Sequence, residues 1–194
     1  MSQNSKWFIK ITPVNIIILV IGIAINFSLK LLALNLKAPV RLDSVGTAIC
    51  SCILGPVGGC LAGIGNGILG VILLNNAWGY IILSIPVSLI IAAAYRKNSL
   101  CDLFETLCTA FAMGIICSML GFFITLNLEH GIINNLWGDA LMQMLKQNGV
   151  TKLPCIALGE LFIEIPDKIL TTFIIYVLIG AKHFITNGKG ESDI

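Results

Sequence analysis

The sequence predicts an all-α polytopic membrane protein, a bundle of six transmembrane helices with both termini cytoplasmic. Three observations lead there. Hydrophobic residues make up 57% of the chain and charged residues 11%, with mean hydropathy +0.94; a soluble domain of 194 residues would carry far more charge on its surface. The apolar residues fall into runs of about 20, the length needed to cross a bilayer. Short polar or Gly/Pro-rich breaks separate those runs, and no soluble domain or strong internal repeat interrupts them, so residues 1–194 read as one integral membrane domain.

The first span covers Val14–Leu36 and ends at Lys37-Ala38-Pro39. No small-residue cleavage site interrupts it, so it reads as a retained helix and not a signal peptide. The second, Asp43–Leu54, is short for a lipid-facing helix and is expected to be tilted or shielded by protein. A Gly-Pro-Val-Gly-Gly break at Gly55–Gly59 leads into the third, Val57–Leu74, in which Gly59, Gly63 and Gly67 recur every fourth residue. Such a stripe lets another helix backbone approach closely inside a membrane, where packing replaces the hydrophobic drive between helices. The fourth span is Trp78–Ala94, stopped by Tyr95-Arg96-Lys97-Asn98, and the fifth is Leu103–Leu126. In the polar connection Asn127–Lys152, residues Leu136–Leu145 have the pattern of an amphipathic interfacial helix. The sixth span, Leu153–Ala181, is long enough to tilt or protrude. Pro86 and Pro166 inside spans four and six are expected as kinks, which neighbouring groups in a bundle tolerate.

Lysine and arginine in the short loops set the orientation. With both termini inside, Lys6, Lys10, Arg96, Lys97, Lys182 and Lys189 are cytoplasmic, against Lys37, Arg41, Lys146 and Lys152 outside. The strongest local cluster, Arg96–Lys97, then falls inside. The net charge of +2 is too small to imply a nucleic-acid partner. Seven cysteines lie almost wholly in apolar runs and are expected to be small buried hydrophobes.

Under that topology the polar and aromatic residues able to meet a ligand gather on the outer side. The first outer loop holds Arg41 and Asp43, and the second holds Asn76, Trp78 and Tyr80. The third holds Trp137 and Asp139, and the last span enters from the same side with Glu160, Glu164, Asp167 and Lys168. Glu160, Glu164 and Lys168 share a helix face, and Glu164 with Lys168 has the spacing of an intrahelical ion pair. At about 1.5 Å per residue, Glu160 lies about 10 Å into the span and Glu164 about 16 Å, deep enough to need protein or water around them. A pocket lined by these acids and roofed by aromatic loops is the natural hypothesis. For Glu164, Asp167 and Lys168, a structural ion-pair network stands beside ligand contact. Trp78, Tyr80 and Trp137 serve either as interface anchors or as stacking surfaces. Asn66 either bridges helices or marks a polar site.

Catalysis finds no support: there is no nucleophile elbow, no paired histidines for a metal and no phosphate-cradling loop. The run Gly63-Ile-Gly-Asn-Gly67 has no preceding strand, so its likeness to a nucleotide fingerprint is empty. Nothing in the sequence points to a cofactor.

Several segments together resemble the substrate-binding S component of energy-coupling factor (ECF) transporters, the prokaryotic vitamin and micronutrient importers. They are Leu42-Asp-Ser-Val-Gly-Thr47, Leu54-Gly-Pro-Val-Gly-Gly-Cys-Leu-Ala-Gly63, Asn66 and Glu164-Ile-Pro-Asp-Lys168. They look like those of S components with no assigned substrate, and similar segments occur in membrane sensor regions of some bacterial kinases. The resemblance spans nearly the whole chain. It implies a multi-pass protein of a prokaryotic cell membrane that binds a small micronutrient from outside. It further implies docking on a transmembrane coupling subunit and two cytoplasmic ATPases, and toppling in the lipid bilayer to deliver the cargo. Docking in that family uses small residues spaced by four on the first helix, matched here by Ala24 and Ser28, with Gly22 nearby. Ser28 stands where Ala is more usual. Ligand positions of vitamin-binding relatives fall on Arg41–Asp43, Trp78–Tyr80, Trp137–Asp139 and Glu160–Glu164. The acids and aromatic residues favour a neutral or cationic heteroaromatic substrate. Two competing functions are a solitary ion-coupled secondary transporter and a membrane sensory module; the 13 residues after Ala181 weigh against the latter.

Overall fold

The computed structural model describes residues 12–74 and 78–188, with side chains placed as far as residue 181. Of the described residues 84% are helical and none is in a strand. Helix α1 is Pro13–Asn35. Thr12 caps it, its hydroxyl accepting from the Asn15 amide at 3.4 Å, and Pro13 opens it where a missing N–H costs nothing. Next come α2 (Val45–Leu54) and α3 (Pro56–Leu74). Between them Gly55 adopts φ 84°, the left-handed side that ends helices, and Pro56 starts the next helix.

A 3₁₀ segment, Trp78–Leu83, runs directly into α4 (Ser84–Arg96). The expected single α-helical span from Trp78 is therefore two kinds of helix. Pro86 sits in the first turn of α4, where proline is tolerated, and not at a mid-helix kink. A short 3₁₀ turn, Ser99–Cys101, precedes α5 (Leu103–Asn127), whose cap Asp102 accepts from the Glu105 amide at 3.1 Å. The amphipathic segment is α6 (Leu136–Gln147), capped by Asn135, and α7 runs from Lys152 to Gly188 with Pro166 inside it. Helix α7 thus extends past the expected end at Ala181.

Among the described residues, four helices are long and apolar enough to cross a membrane: Pro13–Asn35, Pro56–Leu74, Trp78–Arg96 and Leu103–Asn127. Helix α2, at 10 residues, is about 15 Å long, half a bilayer core. It is instead buried at the centre: Val45, Gly46, Thr47, Ala48, Cys50 and Ser51 are all inaccessible. The main core joins Ala48 of α2 to Val87 and Ile91 of α4, Met113 and Cys117 of α5 and Ile175 of α7. A smaller cluster packs Ile133 and Met142 onto Cys155 and Ile156 of α7. Cys50, Cys117 and Cys155 are buried as expected, whereas Cys101 and Cys108 are exposed.

Small residues set the helix spacing around α2. A Cβ on Gly46 would strike the Gly22 carbonyl, and one on Gly22 would strike the Cys50 sulfur, so α1 and α2 cross in backbone contact. The α3 stripe is a packing face throughout: Gly59 abuts Ser51 and Ser88, Gly63 abuts Ser84, and Gly67 abuts Ile81. On α1, Gly22 is therefore committed to the interior, while Ala24 and Ser28 stay on the exposed face with Ile17, Val20 and Ile21.

Candidate functional site

The segment 36–44 between α1 and α2 does not stay at the rim. It descends to the middle of α7, held there by Asp167, while Asn26 of α1 takes the start of α2. A helix leaves its first amides without partners, and the cap residue Ser44 makes no side-chain cap bond. Neighbouring elements supply the acceptors. Asn26 of α1 takes the Gly46 amide at 2.6 Å and the Thr47 amide at 3.4 Å through Oδ1, and its Nδ2 donates to Thr47 Oγ1 at 2.9 Å. Asp167 of α7 takes the Arg41 amide at 3.1 Å and the Leu42 amide at 2.6 Å, and Ser44 Oγ donates to its second oxygen at 3.3 Å. From α3, Asn66 Nδ2 donates to the Asp43 carbonyl at 3.2 Å, so this amide bridges elements.

That descent puts Arg41 over the acids of α7. Its Nη2 lies 3.3 Å from Glu160 Oε2 and its Nη1 3.5 Å from Glu164 Oε1. The guanidinium also donates to the Ile133 carbonyl at 3.4 Å and stands 4.3 Å above the Tyr80 ring, a cation–π contact. Glu160 accepts from the Thr125 hydroxyl and, at 3.0 Å, from the Tyr80 hydroxyl. Gly121 makes room for it, because a Cβ there would come within 2.8 Å of Glu160 Oε2. Lys168 Nζ lies 3.1 Å from Glu164 and 2.6 Å from Asp167, and donates to Ser44 Oγ at 3.1 Å. Glu164 is held by charge alone: both cations flank it, yet neither of its oxygens has an aligned donor. Glu160, Glu164 and Asp167 are fully buried and Lys168 is 2% exposed, so each charge depends on its partners.

A second ion pair lies nearer the surface, with Lys30 Nζ 3.8 Å from Asp43 Oδ2.

Two cavities flank this network. The larger, about 120 Å³, lies between the end of α1, segment 36–44 and the stretch before α6; Lys30, Lys37, Arg41, Asp43, Tyr80, Asn134 and Asn135 line it with apolar Ala33, Leu34, Val40 and Leu136. The smaller, about 40 Å³, lies deeper and is lined by Lys30, Asp43, Ser44, Thr47, Asn66, Tyr80 and Lys168 among others. Asn66 Oδ1 there is buried and has no hydrogen-bond donor.

Of the residues singled out in the sequence, Arg41, Asp43 and Tyr80 line the larger cavity. Glu160 and Glu164 are brought to Arg41 but lie behind it, outside the lining of either cavity. Trp78 is 62% exposed and lines neither. Trp137 acts as a tie, its indole N–H donating to the Lys37 carbonyl at 2.6 Å. Asp139 accepts the Ile133 amide at 2.8 Å and so shapes the turn before α6. Asn76 lies outside the described residues. Sequence reasoning missed Lys30, Thr125 and Asn26, and used Lys37 only to end the first span and set the orientation. A lysine and a buried amide in the first apolar span were the available signal for two of them. Among the described residues, no group of three His, Cys, Asp or Glu is arranged to hold a metal ion.

Comparison with protein-family models, with curated proteins and with solved structures finds no match to this chain.

Proposed function

We propose that this chain is the substrate-binding membrane subunit of an ATP-driven ECF-type importer, taking up a vitamin or another small micronutrient. In this reading it is a six-span bundle of the prokaryotic cell membrane with both termini cytoplasmic. Ligand enters from the extracellular side, and a transmembrane coupling subunit with two cytoplasmic ATPases supplies the energy. The observation that carries the proposal is the cavity of about 120 Å³ beside segment 36–44, closed by side chains from distant parts of the chain. Its walls meet through Arg41 to Ile133 and Trp137 to Lys37, contacts that can part to admit a ligand without unfolding a helix. The small exposed residues Ala24 and Ser28 on α1 support a docking face for the coupling subunit.

Co-expression with a coupling subunit and its ATPases tests this directly. A stable complex is expected, and Ala24→Leu with Ser28→Leu should break it while leaving ligand binding intact. Failure of the parent chain to co-purify with such a module would overturn the proposal.

One observation favours a second function. Glu164, buried in mid-helix between two cations with no aligned donor on its oxygens, suits an ion or proton relay with Asp167 and Lys168 in a solitary secondary transporter. Uptake into liposomes by the lone chain, driven by an imposed pH gradient, would support that function.

A further inference from the structure

We propose that the occupant of the larger cavity is a compact organic anion whose carboxylate, or equivalent acid group, is held by Lys30, Lys37 and Arg41. This rests on the cavity being the ligand site, and it reverses the charge that the acids of α7 suggest. Those acids are spent on other partners. Glu160 is held by Thr125, Tyr80 and Arg41, Glu164 by Arg41 and Lys168, and Asp167 by Lys168, Ser44 and the amides of Arg41 and Leu42. All three are fully buried and line neither cavity.

What lines the larger cavity is basic. Lys30, Lys37 and Arg41 line it with Asp43 as its one carboxylate; Arg41 also reaches back to Glu160 and Glu164, and the Lys30–Asp43 contact at 3.8 Å is too long for a hydrogen bond. Adding Lys168 and the α7 acids gives four cations and four carboxylates in the whole assembly. It is therefore neutral but polarised, with positive charge toward the cavity and negative charge toward α7. An entering anion meets the favourable end of that arrangement, whereas an entering cation must pass three like charges before reaching any α7 carboxylate. Lys37 stands where an arriving anion would meet it first: it is exposed, its backbone takes φ 51°, and the Trp137 indole pins its carbonyl at the mouth. Ala33, Leu34, Val40 and Leu136 offer an apolar wall to the body of the ligand. The volume of about 120 Å³ is below the range of roughly 300–1,000 Å³ for drug-sized ligands, which favours a body of about one ring.

The test uses three probes with the same ring and different charge: benzoate, benzamide and benzamidinium. Each is titrated into the full chain in detergent by calorimetry, with thermal unfolding as a second readout. Benzoate is expected to bind with a dissociation constant in about the millimolar range, as befits a one-ring fragment. Benzamide should bind at least about tenfold more weakly, the worth of one charge-assisted hydrogen bond. Benzamidinium should neither bind nor raise the melting temperature. Lys37→Gln, at an exposed position where folding is not at risk, should weaken benzoate by about tenfold, and Lys37→Arg should restore it. Equal binding of all three probes, tighter binding of benzamidinium, no benzoate binding up to about tenfold above the millimolar range, or an unchanged affinity in Lys37→Gln would each overturn the proposal. Its fate is separable from that of the importer. Anion selectivity without any complex with a coupling module would sink only the importer, and such a complex with cation selectivity would sink only the anion site.

Discussion

Removing the charge of Lys168 is the sharpest test of the buried network. Its ammonium, 2% exposed, lies 2.6 Å from Asp167 and 3.1 Å from Glu164. At an effective dielectric constant of about 20, each contact has a gross attraction of about 5–6 kcal/mol. Desolvating the charges offsets much of this, so the gross figure is not the loss on mutation. The loss comes from leaving carboxylates buried without their cation. Lys168→Met keeps a similar length of apolar side chain and strands Glu164, whose remaining cation, Arg41, is 3.5 Å away and not aligned to donate. A destabilisation of about 3–5 kcal/mol is expected, measured by reversible unfolding of the purified chain in mixed micelles. Glu164→Gln added to Lys168→Met removes the stranded charge and should recover at least half of the loss. A loss under about 1 kcal/mol, the range of a surface pair, would refute the reasoning. So would a double variant no more stable than Lys168→Met alone.

Three further outcomes are expected. Gly46→Val should destabilise by about 1–3 kcal/mol or more in the same assay, because the new carbon meets backbone of α1 that cannot yield; Gly180→Ala, in a helix with nothing within 4 Å, should instead stabilise by up to about 1 kcal/mol. Experimental density should show an ordered water in the inner cavity donating to Asn66 Oδ1, since about 40 Å³ exceeds the roughly 10–15 Å³ that one water needs. Dry density there would contradict it. The third concerns the Lys30–Asp43 pair at 3.8 Å. Being partly exposed, it should contribute no more than about 1 kcal/mol, so a double-mutant cycle of Lys30→Met and Asp43→Asn should give a coupling in that range. A coupling above about 3 kcal/mol, the size of a buried pair, would contradict it.

Most of the helices were legible because their signals are local. Runs of apolar residues, the Gly55-Pro56 break and the stops after Leu36 and Tyr95 each act within a few residues of chain. The glycine stripe of α3 was legible for the same reason, since a spacing of four defines a face whatever packs against it. The 3₁₀ segment at Trp78–Leu83 was not, because an apolar run of that length has no feature separating the two kinds of turn. Pro86 marks the junction only once the register of α4 is known. Within the site, the i,i+4 pair of Glu164 and Lys168 followed from helix geometry alone. Its connection to Arg41 and Ser44 did not, because Arg41 and Glu164 are more than a hundred residues apart and only the fold brings them together.

Which charges line the larger cavity was the least legible property, for a physical reason. Counting charges near a presumed pocket treats every ionised group as if it faced the ligand. In a bundle interior an unpaired carboxylate is too costly to leave facing a void, so each acid is drawn onto donors and cations within its own shell. Glu160, Glu164 and Asp167 are the deepest acids, and they are also the ones with the most partners. The lysines behave differently, because a long flexible stem can leave the ammonium at the edge of water while its carbons stay in apolar surroundings. Lys30 and Lys37 line the cavity from the end of α1 and the segment that follows it. Glu160, Glu164 and Asp167 thus turn inward to fixed partners and Lys30 and Lys37 reach the open space, while Lys168 is drawn in between two acids and Asp43 stays at the cavity beside Lys30. On the proposed anion site, the acids deep in α7 brace the cavity from behind, and Lys30 and Lys37 in its wall are the charges a ligand would meet.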